Sequence, residues 1–102
     1  AFEDTQLLVN AAAECLNGRV FCTFGCHPAN YDEYTEDYEA RVLQALKALP
    51  GKAIAVGECG LDYAKVWGSG NTEEREKMIA VFVRQIQLAA RLGLPLVVHT
   101  RE

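Results

Sequence analysis

Three short apolar runs constrain this chain most. Arg19–Phe24, Ala53–Gly57 and Leu96–His99 are too short for helices, carry β-branched and aromatic side chains, and are separated by longer stretches of helical periodicity. Strands with one wet face alternate apolar and polar residues; strands apolar throughout need cover on both faces, as in a parallel sheet flanked by helices. The intervening stretches supply that cover. Leu7, Leu8, Ala11, Ala12, Cys15 and Leu16 recur at helical spacing over residues 2–17, and Asn17-Gly18 is a stop signal. Residues 30–37 are polar and acidic and read as a solvated loop. Tyr38, Val42, Leu43, Leu46 and Leu49 then predict a second helix, ended by Pro50-Gly51. A third begins near Asn71, with Glu73 and Glu74 in a first turn that suits acids, and runs through Met78, Val81, Phe82, Gln85, Ile86 and Ala89 to Leu92. The order α-β-α-β-α-β predicts right-handed crossovers and strands that are neighbours in sequence order.

With 102 residues, half of them hydrophobic, the chain suits one small globular unit. No apolar run approaches the ~18 residues of a membrane span, and the first residues lack the basic start and apolar stretch of a leader. The expectation is a soluble cytoplasmic protein with no membrane partner, a nuclear or mitochondrial location being left open. A net charge of −4 without a basic cluster argues against an extended nucleic-acid surface held by counterion release. It leaves room for a small site that handles one phosphate through metal ions. Cys15, Cys22, Cys26 and Cys59 form no Cys-x-x-Cys pair and are expected to be reduced, packed thiols.

The polar residues fall where the strands end. The first run leads into Gly25-Cys26-His27-Pro28, the second delivers Glu58 and the third His99. Parallel strands place all three ends on one rim, the carboxyl-end rim where α/β sheets and barrels carry their sites. Taken singly, Glu58 reads equally as a loop acceptor, His99 as a core histidine and His27 as a turn organiser. None of these readings explains why all three share a rim. A carboxylate that can bridge two cations, with an imidazole nitrogen beside it, is a partial ligand set for divalent-metal hydrolysis.

Four ordered motifs carry a family likeness: Gly25-Cys26-His27-Pro28, Gly57 to Tyr63, Phe82 to Gln85, and Leu94-Pro95 through His99-Thr100-Arg101. In these the chain resembles the TatD-related deoxyribonucleases, metal-dependent hydrolases with a TIM-barrel fold. The resemblance implies consecutive parallel β-α units forming part of a (β/α)8 barrel. Residues 1–102 would supply about three strand-helix units of a barrel that typically needs about 250 residues. It implies Glu58 as the metal-bridging and catalytic carboxylate, His99 as a metal ligand, and two divalent ions such as Mg, Mn or Zn. DNA is the implied substrate, with His27 and Arg101 on the substrate side. For Arg101 a solvated surface role stands beside a phosphate contact, and for Asp62 a turn cap stands beside orientation of a ligand. Tyr63 reads as a base-stacking or a packed aromatic, and Trp67 as a lid or a loop anchor.

The family's His-x-His motif, later histidine and late aspartate have no counterpart in these residues. The remainder of the barrel, or a neighbouring chain, is therefore expected to cover the sheet. The alternative is a non-catalytic or structural remnant of the same fold without a complete metal shell.

Overall fold

Helical periodicity becomes α1 (Phe2–Cys15), α2 (Glu36–Ala48) and α3 (Thr72–Leu92), and the apolar runs become β1 (Cys22–Phe24), β2 (Ala53–Asp62) and β3 (Leu96–Arg101). The computed structural model describes residues 2–15, 19–65 and 72–101. The expected stop at Asn17-Gly18, Trp67 and the expected start at Asn71 lie outside them. The three strands form one parallel sheet in the order β1-β2-β3, as the alternation predicts.

The core lies between the sheet and its helices. Val9, Phe24, Val42, Ala45, Leu46, Leu49, Ala53, Val56, Leu88 and Ala89 are buried against one another. Full burial of a side chain such as Val42 or Val56 stabilises by about 1.5–3 kcal/mol. Among the described residues, the sheet is only partly covered. Ile54, between buried Ala53 and Ala55, is 44% exposed, and Val97 and Val98 of β3 are also exposed. Among the described residues β3 is thus an edge strand, as expected of a sheet that the remainder of a barrel would cover.

Two further expectations change. The segment Gly60–Asp62, read as a turn following a strand that ends at Glu58, instead continues β2, pairing with His99–Arg101 of β3. A glycine permits this. At Gly60 (φ +140) an added Cβ would lie 1.9 Å from the His99 carbonyl oxygen, so only a bare Cα lets the strands approach there. Residues 30–37 are also not a plain loop. Pro28–Glu33 forms a 3-10 helix, and α2 starts at Glu36, because Thr35 Oγ1 accepts the Tyr38 N–H (3.1 Å) as an N-cap. Of the acids read as a solvated run, Glu36 and Asp37 belong to the first turn of α2 with Glu39, where the helix dipole favours them.

The tyrosines of this stretch tie α2 and the 3-10 helix to α3. Tyr31 donates its hydroxyl to Glu74. Tyr34 donates to Glu39 Oε1 (2.8 Å), which also accepts Arg84 Nε (3.2 Å), while Arg84 Nη2 donates to Oε2. Burial alone would raise the Glu39 pKa. The Arg84 and Tyr34 hydrogen bonds outweigh it and hold the carboxyl below its ordinary value of 4.5.

Two predictions follow from these contacts, both for the polypeptide that carries this segment. Gly60→Ala must open the β2/β3 ladder and is expected to cost on the order of 3 kcal/mol in urea unfolding. Gly51→Ala, whose Cβ meets nothing within 4 Å at φ +78, should cost about 1 kcal/mol. Equal costs would remove the close-approach argument. For Glu39, a depressed carboxyl contributes stability that is complete above pH 4.5 and is lost as the pH falls through its folded value. The difference in Tm between wild type and Glu39→Gln should therefore be full near neutral pH and close below pH 4.5. A pH-independent difference would show that the clamp is not ionic.

Candidate metal centre

Glu58 owes its position to an irregularity in the sheet. Gly57 pairs with Val97 and Cys59 with Val98, so the register shifts at Glu58, which is left without a partner on β3. Such a bulge bends a strand and re-aims the side chain it carries. The residues on either side, Gly57 and Cys59, are buried, while the Glu58 side chain is 53% exposed. The Gly57–Glu58 peptide is cis.

His27, Glu58 and His99 come together, although Glu58 and His99 lie inside β2 and β3 rather than at the strand ends expected from the sequence. His27 Nε2 lies 3.7 Å from Glu58 Oε1. The rings of His27 and His99 are 4.7 Å apart between centroids, tilted by 48°. One ligand atom from each of His27, Glu58 and His99 falls within 4.8 Å of the others, close to the span of two donors across one cation, about 4 Å.

The two histidines are not equivalent. His27 caps the 3-10 helix, its Nδ1 accepting the Ala29 N–H at 3.0 Å. A neutral imidazole with Nδ1 occupied as an acceptor carries its proton on Nε2, so the nitrogen facing Glu58 is an N–H donor without a lone pair for a metal. His99 is the opposite case. Its Nε2 is buried and, among the described residues, is a side-chain nitrogen with no hydrogen-bond partner. Asp62 Oδ2 lies 3.4 Å away, outside hydrogen-bonding geometry. A histidine ring nitrogen and a carboxylate oxygen within 4.8 Å of one another are donors that fit a cation, and the fit falls on Glu58 and His99.

Asp62 is itself buried, at 1% exposure. Its Oδ1 accepts Arg101 Nε at 3.0 Å and its Oδ2 accepts Nη2 at 3.1 Å, while its backbone N–H donates to Met78 Sδ at 3.1 Å. The Arg101 guanidinium holds the Asp62 carboxyl below the usual aspartate range against the opposing effect of burial. The turn-capping reading of Asp62 falls away, since the residue is in β2. Arg101 is not a free surface cation. A cavity of about 360 Å³ lined by Leu61, Tyr63, Thr100 and Arg101 opens beside it, and the Tyr63 ring carries the Arg75 guanidinium at 4.6 Å.

A family model described as TatD related DNase matches residues 2–102. The chain belongs to that family. It is 45% identical over 83 residues to the human 3'-5' RNA nuclease TATDN2, covering 81% of this chain and 10% of that protein. It is 33% identical over 86 residues to the 3'-5' ssDNA/RNA exonuclease TatD of Enterobacter lignolyticus (84% and 30% covered). With the human deoxyribonuclease TATDN3 it shares 38% over 96 residues (87% and 34% covered). Among solved structures, the TatD homologue YJJV of Escherichia coli K12 superimposes with a TM-score of 0.71 at 30% identity, covering 94% of this chain and 35% of that one. The TatD-family chain described here thus spans between a tenth and about a third of the length of these relatives. Its parallel β-α units are part of a TIM barrel.

Two thiols flank the site in this TatD-family segment without joining it. Cys26 Sγ donates to the Asn30 carbonyl (3.3 Å) and Cys59 Sγ to the Val97 carbonyl (3.7 Å). Burial pushes each thiol up to about 11. Both are expected to resist a thiol reagent at about pH 8 in the folded protein. Denaturation without reductant should release four thiols, one for each cysteine of the sequence. Rapid labelling of Cys26 or Cys59 in the folded state, or a lower count on denaturation, would contradict this.

Proposed function

We propose that the chain is part of a metal-dependent TatD-type nuclease that hydrolyses phosphodiester bonds in DNA. One observation carries the reading: one ligand atom each of His27, Glu58 and His99 falls within 4.8 Å of the others on one rim, with the His27 Nε2 turned toward Glu58. Glu58 and His99 would hold divalent cations, one or two of Mg, Mn or Zn, with further donors supplied by the rest of the barrel. Such a cation stabilises charge on a phosphoryl oxygen and makes water a nucleophile at neutral pH.

The chain's own residues do the remaining work. His27 presents an N–H to an anionic substrate oxygen, in the role expected of it as a substrate-side residue. Arg101 commits Nε and Nη2 to Asp62, which holds the guanidinium at the rim with Nη1 left for a phosphate. Asp62 is thus the residue that fixes Arg101. The rest of the barrel covers the exposed apolar residues Ile54, Val97 and Val98, so that residues 1–102 make up about three strand-helix units of one larger domain in a cytoplasmic enzyme. The relatives' names include both RNA and DNA nucleases, and the chemistry at phosphorus is common to both.

Glu58→Gln keeps the size of the side chain and removes its charge; His99→Ala removes the unpartnered nitrogen. In the polypeptide carrying this segment both should lose bound metal and lower turnover on a DNA oligonucleotide by on the order of a thousandfold, with little change in Tm. Full activity of Glu58→Gln would sink the metal-site reading and favour the non-catalytic remnant. Cleavage of an RNA oligonucleotide but not of DNA would keep the site and overturn the substrate.

A further inference from the structure

Gln85 is fully buried in the middle of α3, with no exposed surface. A primary amide placed among apolar side chains costs free energy unless its groups are paired, and every pairing it makes is directed. Its Oε1 accepts the Cys26 N–H at 2.7 Å. Its Nε2 donates to the Cys26 carbonyl at 3.3 Å and to the Val81 carbonyl of its own helix at 3.3 Å. Cys26 lies beyond the last paired residue of β1, since the ladder to β2 ends at Phe24↔Val56. The Gln85 amide therefore takes both backbone groups of Cys26 as an adjacent strand would.

The surroundings are built for this contact. A Cβ on Gly25 would stand 2.9 Å from Gln85 Oε1 and 2.9 Å from the Gly57 backbone, so the approach depends on the missing side chain. The Cys26 carbonyl belongs to the peptide that continues into His27, so fixing it fixes the plane from which the His27 side chain leaves. His27 then caps Ala29 through Nδ1 and points Nε2 at Glu58.

We propose that Gln85 is a positioning residue: through the Cys26 peptide it sets the reach and the tautomer of His27. The inference rests on the reading of His27 as an N–H donor to substrate, and its test separates the two. The protein is labelled with ¹⁵N-histidine and observed at one pH, about 8.5, where an ordinary imidazole is neutral. His27 should show an unprotonated Nδ1 and a protonated Nε2, its signals assigned with His27→Ala. Gln85→Met, similar in volume without the amide, should mix the tautomers. Gln85→Glu, which keeps an acceptor for the Cys26 N–H but has no donor for the carbonyls, should do the same if the first variant does not fold. Unchanged ring signals in a folded variant overturn the proposal.

Cleavage of an oligonucleotide gives the second arm. Gln85→Met should lower kcat/KM about tenfold in the wild type and less than twofold further when added to His27→Ala, the mark of action through one group. An equal loss in both backgrounds means that Gln85 works elsewhere and overturns the proposal. If His27→Ala leaves cleavage unchanged while Gln85→Met still alters the ring signals, the substrate role of His27 fails and the positioning role of Gln85 stands.

Discussion

The pairing of β2 with β3 is the interaction on which the site depends. It runs from Val56↔Leu96 to Asp62↔Arg101 with one slip, at Glu58. Before the slip the ladder is ordinary sheet. After it, the same ladder sets Gly60 against His99 and Asp62 against Arg101, which brings the His99 imidazole and the Asp62–Arg101 ion pair to the rim together. A parallel ladder without the slip would give Glu58 a partner and a place in the pleat. One unpaired residue thus separates a structural strand from a strand that presents a carboxylate.

His27 reaches the same place by a different route, since β1 is only three residues long. Its position comes from side chain–backbone hydrogen bonds: the Gln85 amide on Cys26, and its own Nδ1 on Ala29. Fixing a ring through one nitrogen leaves the other with a defined chemical character. That is why two histidines with touching rings differ, one as a proton-bearing donor and the other with a buried Nε2 that makes no hydrogen bond among the described residues.

Much of this was legible in the sequence, for reasons that differ by residue. Apolar runs alternating with helical periodicity specify parallel order, and parallel order alone puts His27, Glu58 and His99 on one rim. The length of β2 was not legible, because Gly60-Leu61-Asp62 carries turn residues and becomes strand only through close approach to His99. The acids Glu36 and Asp37 looked like loop because helix-favouring first-turn acids and solvated acids are the same residue types; Thr35 as a cap was the available signal. Gln85 was read as part of a helix stripe and of the Phe82–Gln85 motif, without a partner. An amide on an apolar face was the clue to it, but its partner is a backbone unit, which no side-chain pattern reveals. The Asp62–Arg101 pair is likewise invisible until the register is known.

The sheet's order has a consequence for its dynamics. Within this chain β2 has hydrogen-bonded neighbours on both sides, whereas β1 and β3 each turn one row of backbone groups outward. Amide exchange should be slowest along β2 and faster along the two flanking strands, because opening an outer strand breaks one ladder and opening the middle one breaks two. Glu58 is thus anchored in the most protected element, while His99 and Arg101 ride on a strand whose rigidity depends on what lies beyond it. The carboxylate is held by this segment itself, and the stiffness of its histidine partner is set by the neighbouring structure.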